Sequence, residues 1–224
     1  MSSSKRVRKA STSNPVEFGF KDVKPLNYIQ GVYLEAIRNN DVIFGIGSAG
    51  TGKTYIAASY AAGELFHRRI QKIIITRPSV QSGRGLGFLP ASLTEKFAPY
   101  LAPFESTFRE TLGSGFYEYA LKNKDIEPIP LEFMRGLSFN NTLVLVDEAQ
   151  QATKDELKMI LSRIGKNCKM ILSGDTEQSD IKNSALSDAV NRLQGINGIE
   201  IVSFMDEDIV RSRMCKEIIL AYRR

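Results

Sequence analysis

Short runs of uninterrupted apolar residues alternate along this chain with stretches in which apolar positions return every three or four residues. Leu26 to Arg38 is the first helical stretch: Ile29, Val32, Tyr33, Ala36 and Ile37 share one face despite Gly31. Asn39-Asn40-Asp41 closes it, and Val42, Ile43, Phe44 and Ile46 follow as a short strand. Tyr55 to Ala62 returns to helix. Lys72 to Thr76 reads as a strand of the kind that a parallel sheet buries on both faces. Ala91 to Lys122 reads mainly as helix, broken at Pro99 and Pro103 and again at Gly113-Ser114-Gly115. Most of its aromatic residues (Phe97, Tyr100, Phe104, Phe108, Phe116, Tyr117, Tyr119) are predicted to pack the core rather than stack on bases. Ile126 to Pro130 suits a sheet edge, because proline has no N–H to give a neighbour. Leu143 to Val146 and Lys169 to Leu172 are further buried strands. Between them lies a helix that Thr153 and Glu156 cap, with Leu157, Ile160, Leu161 and Ile164 turned inward as far as Gly165. Ile199 to Ser203 is the last strand, and a terminal helix opening at Asp208 contains Ile218, Ile219, Leu220 and Tyr222. The alternation predicts an α/β three-layer sandwich around a mainly parallel sheet.

Composition narrows the class. At 224 residues, 42% hydrophobic and 25% charged, the chain matches one globular α/β domain with a full core, plus at most a short appendage. No apolar stretch approaches the roughly 18 residues of a membrane span. No apolar segment follows the basic N-terminus, so neither a secretory leader nor a membrane location is expected. Cys168 and Cys215 are far apart and the chain has a single histidine, His67, which excludes zinc spacing and a disulfide framework and suits a cytoplasmic setting. His67 stands beside Arg68 and Arg69 at a helix end, where it reads as a cation at the helix terminus rather than a catalytic base. Lys5, Arg6, Arg8 and Lys9 carry most of the net charge of +5 and have no acid among them. Residues 1–20 are therefore expected to form a disordered basic arm ahead of a folded domain over 21–224. Such an arm holds nucleic acid by counterion release, or serves as a solubilising tail.

The chemistry begins after the first strand. Gly47-Ser48-Ala49-Gly50-Thr51-Gly52-Lys53-Thr54 fits G-x-x-x-x-G-K-[ST] at every fixed position, with a strand before it and a helix after it at Tyr55. Glycines let the backbone bring N–H groups against phosphate oxygens, and the following helix adds its positive end. Lys53 supplies a point charge for the β- and γ-phosphates, and the Thr54 hydroxyl is a Mg²⁺ ligand. Val146-Asp147-Glu148-Ala149-Gln150 places two carboxylates at the end of a buried strand, Asp147 for the metal and Glu148 for the attacking water. A phosphotransferase has no task for the second acid, so Glu148 favours hydrolysis. Gly174-Asp175-Thr176-Glu177-Gln178 ends the next strand, with Gln178 placed to sense the γ-phosphate. Arg77 follows the strand Lys72 to Thr76 and reads equally as a nucleic-acid phosphate contact or as a salt-bridging loop arginine. Gln30 offers an amide that could read an adenine edge, or is a plain surface helix residue.

Eight blocks in one order carry a resemblance. Gly45 to Thr54 (GIGSAGTGKT), ITRP at Ile75, LGFLP at Leu86, MRG at Met134, VDEAQ at Val146, LSRIG at Leu161, SGDTEQ at Ser173 and DIVRS at Asp208 together resemble the PhoH family of ATPases. The likeness runs from about Asn27 to Tyr222. It implies a RecA-like domain related to the first motor domain of superfamily-1 helicases, using ATP and Mg²⁺ and acting on RNA, with DNA or a nucleotide-gated regulatory role as alternatives. It turns Gln30 toward adenine, Gln178 toward sensing and Arg77 toward a nucleic-acid backbone, and it makes Arg211 the arginine that completes an ATP site. Two departures stand out: Arg84 where the family often has an acid, and Ser212-Arg213 where it has His-Pro. With room for one lobe only, the chain is expected to form a head-to-tail homo-oligomer, hexameric by resemblance. In that ring Arg211 would reach a neighbour's nucleotide, with Arg213, Arg135 and Arg163 in reserve.

Overall fold

Asn27 accepts the backbone N–H of Gln30 and so starts the first helix, α1 (Tyr28–Asn39), in a computed structural model that describes residues 19–78, 93–175 and 185–222. The chain continues through β1 (Val42–Gly47), α2 (Lys53–Phe66), β2 (Lys72–Thr76), α3 (Leu93–Leu112), α4 (Ser114–Lys122), β3 (Ile126–Pro128) and β4 (Thr142–Val146). It ends with α5 (Lys154–Leu161), β5 (Cys168–Gly174), α6 (Ala185–Leu193), β6 (Ile199–Phe204) and α7 (Arg213–Tyr222). The strands form one sheet in the order β3-β2-β4-β5-β1-β6, with every pairing parallel.

The two-residue period of each strand builds the layers. Ile43, Ile73, Ile75, Leu143, Leu145 and Ile171 face α1 to α4, whereas Phe44, Ile74, Val144, Val146, Met170 and Leu172 face α5 and α6. Both faces of the central strands are covered, so these are almost entirely apolar, and the expected three-layer α/β sandwich around a parallel sheet results. Register then positions the chemistry. Thr76 pairs with Val146, Val146 with Leu172, and Ile46 with Gly174, so Arg77, Asp147, Asp175 and the loop after β1 emerge side by side. Among the described residues no helix is long and apolar enough to cross a membrane.

Four local expectations need correction. Pro99 and Pro103 do not break α3, which runs unbroken to Leu112. Burial of Phe104, Phe108 and Leu112 at about 1.5–3 kcal/mol each is large enough to offset the roughly 6 kcal/mol that two helical prolines cost. Gly113, at φ +74, does end the helix. α5 stops at Leu161 rather than Gly165, and Ile164 instead bridges to Phe139. The terminal helix begins at Arg213, because Asp206–Asp208 forms a 3₁₀ turn and the Val210 N–H is spent on Gly50. α6 was not predicted, although Leu186, Ala189, Val190 and Leu193 carry a helical stripe onto the sheet. The aromatic prediction holds where it can be read: Phe104, Phe108 and Tyr117 are buried, while Tyr119 is exposed.

Gly47, at the end of β1 opposite Phe204 of β6, has no room for a side chain. Its φ is +135, and a Cβ there would lie 2.0 Å from the Phe204 carbonyl oxygen. Backbone on both sides leaves no room to yield. Gly47→Ala is expected to lose about 3 kcal/mol or more, a fall of roughly 6–12 °C in Tm for a chain of this size. Thermal unfolding measures it, and an unchanged Tm would refute the close approach.

Candidate nucleotide site

The loop between β1 and α2 folds as its glycines require. Gly50 and Gly52 have φ of +83 and +87, and Gly52 caps α2 with no side-chain bond, leaving the first-turn N–H groups for an anion. Lys53 Nζ turns back into the loop, donating to the Gly47 carbonyl at 2.6 Å, the Ser48 carbonyl at 2.7 Å and Thr51 Oγ1 at 3.2 Å. Burial pulls its pKa down to about 8, against the opposing charges of Asp175, Asp147 and Glu148. Ser48 is buried and donates its hydroxyl to Asp206 at 2.5 Å, so the segment after β6 pins the loop from outside. Thr51 is equally buried, its hydroxyl given to the Ser48 carbonyl at 3.0 Å.

A cavity of about 380 Å³ opens over this loop. Gly47, Ala49, Gly50, Gly52, Lys53, Thr54 and Tyr55 line one side, and Arg77, Asp147 and Glu148 the other. Asp147 gives its backbone N–H to the Thr76 carbonyl at 3.0 Å, which fixes it at the end of β4. Burial, then the Glu148 charge, raises its carboxyl above the ordinary value, with Arg77 and Lys53 pulling the other way. Glu148 sits in the left-handed region at φ 52 and ψ 41, unusual for a residue with a side chain. One of its carboxylate oxygens pairs with Arg77 Nη2 at 3.3 Å, and the other accepts from Gln150 Nε2 at 2.6 Å. Gln150 in turn accepts the Asp175 N–H at 3.1 Å.

One expected role looks different in place. Gln30 is buried: its Nε2 donates to the Thr51 carbonyl at 2.9 Å and its Oε1 accepts the Leu26 N–H at 2.8 Å. Each half of the amide thus holds one protein partner, so Gln30 braces the P-loop, and it does not line the cavity over that loop. Arg211 lines this site within its own chain, and a Cβ on Gly50 would lie 2.9 Å from its Cδ.

Residues 22–223 match the family described as PhoH-like protein. The chain belongs to this family. Protein PhoH of Escherichia coli (strain K12) is 41% identical over 210 residues, covering 90% of this chain and 59% of that protein. The PhoH-like protein of Bacillus subtilis (strain 168) is 41% identical over 205 residues, covering 90% and 64%. The chain therefore spans about three-fifths of the length of these relatives. Among solved structures, the large terminase from a thermophilic bacteriophage aligns over 88% of this chain and 50% of that one, at 11% identity and a TM-score of 0.49, too loose a likeness to carry any argument.

The PhoH-like site fits a nucleoside triphosphate with Mg²⁺. The unspent N–H groups of α2, the buried ammonium and a cavity within the usual few hundred Å³ suit the phosphates. Thr54 and Asp147 line the same cavity and offer the one hydroxyl and one acid that a metal shared with the phosphates would need. Gln178 and the loop containing Arg84 lie outside the described residues. Three residues escaped sequence reasoning. Gln150 and Asp175 had a signal, standing in the VDEAQ and SGDTEQ blocks, but Asp206 did not, because its contact with Ser48 depends on the return of β6.

If Gln30 is a brace, Gln30→Ala should lower Tm by about 2 kcal/mol equivalent, roughly 4–8 °C, for two lost buried hydrogen bonds. The preference for ATP over GTP should not change. A changed base preference at unchanged Tm would restore the adenine reading.

Proposed function

We propose that this PhoH-like chain hydrolyses ATP and uses the cycle to act on single-stranded nucleic acid, RNA ahead of DNA. One observation supports this reading above the rest: Lys53, Thr54, Asp147 and Glu148, scattered over the sequence, line a single cavity above the sheet. Lys53 would exchange its loop carbonyls for phosphate oxygens as the nucleotide enters. Thr54 and Asp147 would hold Mg²⁺, which when bound supplies charge neutralisation at the β- and γ-phosphates. Glu148 would take the proton of the attacking water, and Gln178 would sense the γ-phosphate. Arg211, above Gly50, would steady charge on the phosphates.

RNA is favoured by the family resemblance, and Arg77 on the cavity supports a polynucleotide backbone of either kind. Residues 1–20 would add a basic arm to the domain over 21–224; residues 1–18 lie outside the described residues. Assembly into a head-to-tail ring, hexameric by resemblance, belongs to the same proposal. A crossing arginine would be Arg211 itself or one of Arg213, Arg135 and Arg163; the Arg213 side chain, at the start of α7, is 93% exposed and pairs with Glu217. A cytoplasmic setting accords with Cys168 and Cys215 both being free thiols.

The test is phosphate release with and without oligo(rU) or oligo(dT), at low and raised salt, together with solution mass in the presence of ATP. RNA should accelerate release, the effect should fade with salt, and the mass should rise. Equal rates with and without either polymer would remove nucleic acid from the proposal.

A further inference from the structure

We propose that Arg77 and Gln150 form a latch on Glu148 that a phosphate of the nucleic acid opens, so that the polynucleotide itself switches on hydrolysis. This rests on the hydrolytic reading above and gives it a control element. A general base must present a lone pair to its water within hydrogen-bond reach. Here each Glu148 oxygen already holds a donor, Arg77 Nη2 at 3.3 Å on one side and Gln150 Nε2 at 2.6 Å on the other. Its left-handed backbone keeps the carboxylate between them.

The two donors are not equivalent. Gln150 is buried, neutral and fixed at its far end by the Asp175 N–H, so it holds steadily and ties Glu148 to the end of β5. Arg77 is charged, its side chain 34% exposed, and it is the first residue after β2 on the rim of the same cavity. Asp147 is the other carboxylate beside it. A guanidinium binds phosphate through two parallel N–H groups, which one long contact to a carboxylate does not match. A backbone phosphate arriving at the rim would draw Arg77 off, free one Glu148 oxygen toward the cavity and leave Gln150 in place to aim it. The two readings of Arg77, ion pair and nucleic-acid contact, then become two states of one residue.

The experiment compares wild type, Arg77→Ala and Arg77→Lys for kcat and KM of ATP hydrolysis, with and without saturating oligo(rU). The latch requires Arg77→Ala to raise kcat without RNA by roughly three- to tenfold, the range set by one half-exposed charged hydrogen bond. Acceleration by RNA should shrink to less than about twofold with KM for ATP unchanged, while Arg77→Lys, which keeps the charge but loses the two-pronged fork, should keep only part of the wild-type response. Unchanged affinity for a fluorescent ADP analogue shows that the cradle is intact. A lower kcat in Arg77→Ala, or RNA acceleration that survives it, overturns the latch and leaves the ATPase reading standing. If neither wild type nor Arg77→Ala releases phosphate, both fail. Release by Arg77→Ala from an otherwise silent protein supports both.

Discussion

Replacing Lys53 with alanine is expected to abolish phosphate release, a loss of at least about 10²–10³-fold, while leaving the fold intact. The ammonium is aimed at the place where charge develops on the phosphates, and removing one preorganised donor of that kind removes a few kcal/mol of transition-state stabilisation. Stability follows a different sign. The folded protein binds the Lys53 proton less tightly than an unfolded chain does, its pKa falling from 10.5 to about 8. The cost of burying that charge is therefore fully present below about pH 8 and fades as pH rises between those values. Truncation removes three hydrogen bonds to Gly47, Ser48 and Thr51 but also removes this buried charge. Near neutral pH the two effects should leave Tm within about 4 °C of wild type. Calorimetry beside a phosphate assay separates them, and turnover above a tenth of wild type would remove Lys53 from the chemistry.

Glu148→Gln should give the complementary phenotype: nucleotide bound but not split. The amide keeps the size and one acceptor of the carboxylate, so Gln150 retains a partner and the left-handed turn at residue 148 is undisturbed. What disappears is the ability to take a proton, worth about 10²–10⁴-fold. Affinity for ATP, read with a fluorescent analogue, should stay within about threefold of wild type, and the nucleotide-bound assembly should accumulate. Turnover within threefold of wild type would assign the water to another residue. Because the ion pair to Arg77 also loses its charge, this variant is expected to ignore RNA altogether.

The features legible in the sequence were those that one segment decides by itself. Ile73 to Ile75 and Leu143 to Val146 announce buried parallel strands because both faces are covered, and the P-loop announces itself because phosphate geometry fixes its spacing. The capping box at Thr153 and Glu156 formed as expected. Illegible features were those decided by another part of the chain. The packing of α3 overrode the signal of Pro99 and Pro103, which local propensity alone reads as a stop. Gln30 looked free to meet a base until α1 docked it onto Thr51. The place of Arg211 over Gly50 depends on the turn after β6, which no local pattern announces. Ser48 and Asp206 lie 158 positions apart, and no spacing rule connects them.

The most direct test of the central claim is a single-turnover measurement of phosphate release from ATP with Mg²⁺, run on wild type and Glu148→Gln in parallel. Wild type should release close to one phosphate per occupied site, and the variant should hold its ATP uncleaved for at least about a hundred times longer. Equal release by both, or none from either at saturating nucleotide, would contradict the account of this cavity as a site of ATP hydrolysis.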